Sequence, residues 1–408
     1  MSRRRRISRG NALATVFGLI ALCVIGIIST LLGGNLGGIV PAAPTSTPIL
    51  PPVDSQVTLP VDPTQIVVRP TVEIPVGSWW EVYFTDPLLV NDPAQWQNSV
   101  EGRLVEKINA AQNSIHIAAF EFDLIPVAEA LIAARNRGVD VRWVTDDEHG
   151  LEADEEPGRG QFAMLQQAGI EVRADTRSAL MHNKFWIFDA QTVWTGSTNI
   201  TESAIFKQDN NTIVIHSPVV AAMFEREFQE MWDGQFGPTS PSQLAEQSTT
   251  VAGTPIWVVF TSEDRALEQA IIPVVNFAQF SIRFLAFSFT DYPLANAMVT
   301  RGHSGVSVAG VYEKVGSDTD ASEFKTLYCG GAAVRRDGNS GFMHNKVIIV
   351  DGRYVITGSM NYSTSAEESN DENVIILENP DIAGLYLQDF ERVWTRAVDP
   401  EPGSIPCP

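Results

Sequence analysis

His182-Asn-Lys184-Phe-Trp-Ile-Phe-Asp189, continued by Gly196-Ser197-Thr-Asn199, returns 162 positions later as His344-Asn-Lys346-Val-Ile-Ile-Val-Asp351 with Gly358-Ser359-Met-Asn361. Both copies read H-x-K-x4-D-x6-G-S-x-N, and six fixed residue types at identical spacing, twice in one chain, argue for an internal duplication. Two half-sites that make one composite site are therefore expected.

Residues two apart on an extended strand face the same way, so each copy presents an imidazole beside an ammonium. The runs that follow, Phe185 to Phe188 and Val347 to Val350, are apolar without alternation, the pattern of strands buried on both faces. Gly196-Ser197 and Gly358-Ser359 read as tight turns after a second short strand, and Asn199 and Asn361 as donors at a loop or helix start. Paired His182 and His344, Lys184 and Lys346, and Asn199 and Asn361 supply a nucleophile, an acid, positive charge and amide donors, a set suited to a tetrahedral anion and above all to a phosphodiester. A metal fits this set poorly, because protonated lysine cannot ligate and no cysteine or carboxylate stands at ligand spacing in either H-x-K copy. No metal and no cofactor is expected. A single histidine would read as an ordinary strand-end residue, as His116 does inside a strand and His149, His216 and His303 do on loops or the surface.

The two segments resemble the paired H-K-D motifs of the phospholipase D superfamily, and the resemblance extends over about Gly77 to Ala397. Ser114 to Phe122, a helix from about Pro126, and Arg137 to Asp146 repeat as Ser281 to Phe289, a helix from about Pro293, and Arg301-Gly302 leading into Val306 to Tyr312. Strand and helix in alternation predict an α/β fold with helices covering the sheets. The resemblance implies two phospholipase D-like halves, each a mixed sheet flanked by helices, related by pseudo-twofold symmetry. It also implies a phosphohistidine mechanism in which one histidine attacks phosphorus while the other protonates the leaving oxygen and then activates water. Lys184, Lys346, Asn199 and Asn361 would hold the phosphoryl oxygens; Asp189 and Asp351 would order the turns with Gly196, Ser197, Gly358 and Ser359. Glu372 lies 28 positions after His344, where the family commonly places a carboxylate that orients the motif histidine, and Asn210 is its counterpart after His182. A carboxylate beside His344 would favour its imidazolium, which makes His344 the acid and His182 the nucleophile.

The rest of the chain bounds where this chemistry occurs. Five arginines fall within Ser2 to Arg9, and no charge follows from Asn11 to Pro52. As a helix, Ala12 to Leu32 would rise about 31 Å, enough to cross a hydrocarbon core. The arginines predict a cytoplasmic N-terminus, which puts the catalytic region outside the cytoplasm. A cleaved signal peptide is the competing reading, against which stand the length of the apolar stretch and the poor small-residue site at Val40-Pro-Ala-Ala43. The organisation expected is a basic N-terminus (1–10), a transmembrane anchor (11–33), a Pro/Thr/Ser-rich spacer (34–76), a first half (77–236), a linker (237–254), a second half (255–398) and a loose tail (399–408). Cys329 and Cys407 make no disulfide framework, though they could pair.

The chain carries a net charge of −21, and nearly −26 beyond its first ten residues. Such a surface is a poor long-range attractor for nucleic acid. Seven acids between Asp146 and Glu156 read as a solvated loop that could also meet a cationic headgroup. The expectation is a phospholipase D-type hydrolase acting on phospholipid at a membrane surface, a monomer with an intramolecular pseudo-dimer. An extracytoplasmic endonuclease is the alternative, since Asn361 to Asn373 resembles the bacterial nucleases of the superfamily. Phosphatidyl transfer is disfavoured by Ser197 and Ser359, where that branch typically has Gly-Gly, and a silent binding module by the intact motif residues.

Overall fold

The structure is a computed structural model that describes residues 78–408. In the first half the elements run β1 (Trp80–Phe84), α1 (Val100–Ala110), β2 (Ser114–Ala119), α2 (Ile125–Asn136), β3 (Asp140–Thr145), α3 (Gln161–Gln167), β4 (Glu171–Ala174), β5 (Lys184–Phe188), β6 (Thr192–Gly196), α4 (Glu202–Phe206), β7 (Asn211–His216) and α5 (Pro218–Trp232). The second half runs β8 (Ser248–Val251), β9 (Thr254–Thr261), α6 (Ile272–Phe277), β10 (Ser281–Ala286), α7 (Tyr292–His303), β11 (Ser307–Tyr312), α8 (Phe324–Cys329), β12 (Ala333–Arg336), β13 (Lys346–Val350), β14 (Tyr354–Gly358), α9 (Thr364–Glu368), β15 (Glu372–Glu378) and α10 (Pro380–Arg396).

The sheets are ordered β1-β7-β6-β5-β2-β3-β4 and β12-β11-β10-β13-β14-β15-β9-β8, so each contains the same strands in the same neighbour relations, with β8 added at one edge of the second. Both are mixed: β2, β3 and β4 are parallel, as are β10, β11 and β12, while the motif strands β5 and β13 join them antiparallel. The α/β architecture of two mixed sheets flanked by helices is therefore as the sequence predicts.

Helices α5 and α10 are built alike. Each follows its last strand through a polar cap and a proline, Ser217-Pro218 and Asn379-Pro380, whose cap side chains accept from Val220 N and from Asp381 and Ile382 N. Each repeats buried residues at helical spacing: Val220, Phe224, Phe228 and Met231 in α5, and Ile382, Tyr386, Phe390 and Val393 in α10. These faces share one core with Phe185 and Ile213 of the first sheet and Phe260, Val347 and Ile375 of the second. Helices α1, α2 and α3 cover the outer face of the first sheet, and α6, α7 and α8 that of the second. The central core thus joins the two halves and fixes the relation of their motifs.

Part of the 237–254 stretch forms β8, a hairpin partner of β9. The tail expected to be loose is tied down instead. Cys407 is disulfide-bonded to Cys329 at the end of α8, Val398 pairs with Arg336 of β12, and Ile405 packs on the outer core of the second half. No helix among the described residues is long and apolar enough to cross a membrane. The segments 1–10, 11–33 and 34–76 lie outside the described residues.

The disulfide joins residues 78 apart. Replacing both cysteines by serine is expected to lower the free energy of urea unfolding by about 2–4 kcal/mol, the usual effect of releasing a long covalent loop. An unchanged midpoint at unchanged slope would contradict this.

Candidate active site

Strands β5 and β13 begin at the motif lysines, and the residues just before them leave their own sheets to meet the other half. Met181 bridges Asp371 and Met343 bridges Asp209. His182 N donates to Asp371 O at 2.9 Å, and His344 N donates to Asp209 O at 2.8 Å. The residue after each of those acids therefore faces the opposite histidine. Glu372 Oε2 lies 2.7 Å from His182 Nδ1, and Asn210 Oδ1 lies 2.9 Å from His344 Nδ1, with Ser197 O at 3.1 Å. The resemblance implies Glu372 beside His344; the structure reverses that pairing, because Asn210, just before β7, and Glu372, at the start of β15, are each delivered across the junction between halves.

The crossing is held by residues that repeat in both copies. Ser359 Oγ donates to Glu372 and Ser197 Oγ to Asn210, at 2.7 and 2.8 Å. Asn373 Nδ2 donates to Asn183 Oδ1 and Asn211 Nδ2 to Asn345 Oδ1, at 2.9 and 2.7 Å. Thr195 and Thr357 complete the lattice by donating to Asn373 and Asn211 of the other half. Asn183, Asn345, Thr195, Thr357, Asn211 and Asn373 escape the motif as first read, although each recurs at the same offset in both copies, and that recurrence is the signal that identifies them.

Gly196 and Gly358 end β6 and β14 at φ of 148° and 147°, and a Cβ there would sit 2.3 Å from Asn211 O and 2.1 Å from Asn373 O. Glycine is required so that these backbones can close on the strands carrying the crossed partners. Asp189 and Asp351 lie at the opposite ends of the motif strands, at φ of 52° and 54°. Asp189 accepts from the backbone of Gln112, Asn113 and Ser114, and Asp351 from Gln279, Phe280 and Ser281. They order the turns before β2 and β10, remote from the imidazoles.

Each motif lysine donates to the carbonyl of its own histidine, Lys184 at 2.8 Å and Lys346 at 2.9 Å, and lies over an aromatic face, Phe120 or Phe287. The same rings pack edge-on against His182 and His344, at 4.8 and 4.6 Å between centroids. Burial pushes both imidazoles well below the ordinary histidine range, and the lysines of both halves push them further; His344 also responds to His182. Burial likewise lowers Lys184 to about 8. The two motifs therefore share one electrostatic environment, although 162 residues separate them.

Asn199 Nδ2 donates to Glu121 Oε2 at 3.0 Å. The Oδ1 atoms of Asn199 and Asn361 are buried and meet no donor among the described residues. Asp146, read as part of a solvated acidic loop, is buried and accepts from Met181 N, one residue before His182, as Glu313 accepts from Met343 N before His344. His149, read as a loop or surface residue, stacks on Phe120 at 4.9 Å. Among the described residues the carboxylates close enough to share an ion are Asp146, Asp147 and Asp175, within 4.8 Å of one another. Asp175 already accepts from Asp147 N and Arg177.

The profile of the family described as "Cardiolipin synthase, PLD-like domain" matches residues 104–232 and again 271–394, more than half of the chain. The chain belongs to the phospholipase D-like family. Similar curated relatives include the mitochondrial cardiolipin hydrolase of Xenopus tropicalis, 37% identical over 131 residues that make up 32% of this chain and 62% of that protein. The phospholipase D of Rickettsia conorii is 34% identical over 116 residues, 28% of this chain and 58% of its own length. The chain thus spans between about half and three fifths of the length of the curated relatives it matches. Phosphatidylserine synthase of Haemophilus influenzae superposes with a TM-score of 0.58 over 78% of this chain and 87% of that structure. At 14% identity that likeness is one of fold.

In this phospholipase D-like chain, burial pushes Glu101, Asp175, Glu313, Glu367, Asp371 and Glu372 each up to about 7. A carboxyl that holds its proton longer when folded stabilises the fold at low pH, and that contribution is lost as pH rises through its folded value. Stability to urea is therefore expected to fall between about pH 4.5 and 7 and to level off above, and Glu372→Gln to make that fall shallower by up to about 1.4 kcal/mol per pH unit. A wild-type stability that rises over this window would contradict the reading.

Proposed function

We propose that the chain is a phosphodiesterase that works through a phosphohistidine, with a phospholipid as its substrate. The observation that carries this is the crossed pairing, in which each motif imidazole is oriented by the opposite half. The Nδ1–H of His182 donates to the Glu372 carboxylate, which directs the lone pair of Nε2 outward and balances the charge the ring gains when it bonds phosphorus. His182 is then the nucleophile. His344 faces only neutral acceptors, Asn210 Oδ1 and Ser197 O, so its imidazolium has no counter-charge and gives up a proton readily. The pairing of Glu372 with His182 removes the ground on which the sequence spacing assigns these roles, and by that criterion His182 would be the acid; the assignment rests instead on the charge balance of the covalent His182 ring.

In the first step, His182 Nε2 bonds to phosphorus as the bond to the leaving oxygen breaks, and that oxygen takes a proton from His344. In the second, His344 removes a proton from water, the hydroxide attacks phosphorus, and the P–N bond breaks to release a phosphomonoester and neutral His182. Lys184 and Lys346 supply positive charge, and the buried amides of Asn199 and Asn361 hold phosphoryl oxygens. Binding of the anion opposes the lowering of both imidazoles, so the two rings are neutral at rest and gain charge as substrate enters. Asp189 and Asp351 act as turn-ordering residues.

A lipid substrate is supported by the names of the curated relatives, the acidic surface and the N-terminal pattern. We read residues 11–33 as an anchor and 34–76 as a spacer that holds the halves 77–236 and 255–398, joined by 237–254, on the extracytoplasmic side. The Cys329–Cys407 bond fits that oxidising location.

His182→Ala and His344→Ala are each expected to reduce hydrolysis of bis(p-nitrophenyl) phosphate by at least about a thousandfold, and EDTA to leave the wild type active. Substantial turnover by either variant contradicts the shared site. The full chain is further expected to release headgroup from cardiolipin or phosphatidylcholine vesicles while leaving single- and double-stranded DNA intact; nicking without headgroup release would assign it to nucleic acid.

A further inference from the structure

The two halves differ on the wall behind their histidines. In register, Ser114 pairs with Asp140 and Ser281 with Ser307, so Asp146 corresponds to Glu313, and His149 to Gly316. The acids do the same work, each accepting from the backbone N of the methionine before a motif histidine. The histidine has no counterpart in the second half.

His149 is fixed on three sides. Asp146 Oδ1 accepts from its backbone N at 2.8 Å and lies 3.1 Å from its Nδ1. Its ring stacks on Phe120, with 28° between planes. The same phenyl ring packs edge-on against His182 and underlies the ammonium of Lys184. His149 is thus one aromatic ring away from the proposed nucleophile, and it interacts electrostatically with both His182 and Glu121. Its side chain is 22% exposed, so it is neither sealed in the core nor on a free surface.

We infer that His149 is a third histidine of the site, a cationic residue that binds a phosphoryl oxygen from the His182 side through its Nε2. The inference rests on the phosphodiesterase reading. Asp146 occupies Nδ1, which leaves Nε2 as the ring's donor, and the bond to Asp146 raises the imidazole above the ordinary histidine range. Asp146 and Glu148 on its own segment and Glu121 at the end of β2 favour the charge, while burial opposes it. The consequence is a one-sided pocket: this imidazole lies where the phosphoryl group stays attached to His182, and the matching position on the His344 side, where the leaving group departs, is Gly316.

The test uses the full chain and inorganic phosphate as the probe. His149→Gln keeps an amide within reach of Asp146 and removes the charge. At pH 6 it is expected to weaken competitive inhibition by phosphate about tenfold and to raise KM for bis(p-nitrophenyl) phosphate similarly, with the smaller effect in kcat. The variant-to-wild-type ratio should fall toward one as pH rises and wild-type His149 loses its proton. A role confined to holding the Asp146 turn would instead lower kcat and thermal stability and leave the ratio independent of pH, which would overturn the inference. In the unsubstituted chain, the 15N resonances of the His149 ring should report a higher pKa when phosphate is added, and no response would also overturn it. That measurement needs no turnover, so a failure of the phosphodiesterase reading is seen separately, in wild-type hydrolysis.

Discussion

The bond between Glu372 and His182 crosses from one half of the chain to the other, and the rest of the site depends on that crossing. An imidazole left at the end of a buried strand could rotate or shift its tautomer; here Nδ1 is claimed by a carboxylate that is itself held by Ser359 and Asn370. The other imidazole is held in the same way by an amide that takes a hydrogen bond from Ser197. Neither half can orient its own histidine by this route. Duplication gave two nearly equal modules, and the exchange of partners joins their motifs, with a carboxylate on one ring and an amide on the other.

The crossing in turn depends on the core. Helices α5 and α10 fill the layer between the sheets with Phe224, Phe228, Tyr386 and Phe390, and that packing brings Met181 beside Asp371 and Met343 beside Asp209. Close approach of the strand ends excludes side chains at Gly196 and Gly358 and leaves buried amides, which the asparagine and threonine lattice pairs apart from Asn345 Nδ2. The same burial that makes the site rigid lowers both imidazoles and raises Glu372.

Much of this was legible in one dimension. The apolar runs after Lys184 and Lys346 identify central strands, the Ser217-Pro218 and Asn379-Pro380 caps mark where helices begin, and the repeat itself locates the candidate site. What resisted reading is what depends on which edges meet. Glu372 follows His344 in sequence and serves His182 in space, because β15 runs to the junction rather than back to its own motif. His149 looks like a loop residue among acids, and only the fold shows that Phe120 links it to His182. The tail has the composition of a free end, yet a disulfide and a strand-edge pair hold it. Pattern reports which elements form; partner choice between elements belongs to packing.

The central claim is that the imidazole bonded to the carboxylate forms the covalent intermediate. Acid-quenching the full chain during turnover of a phosphodiester labelled on the retained group, followed by peptide mass spectrometry under conditions that preserve phosphoramidates, tests it most directly. The account predicts label on the peptide containing His182 and none on that containing His344. Label on His344, or turnover with no phosphohistidine when its breakdown is made rate-limiting, would contradict it.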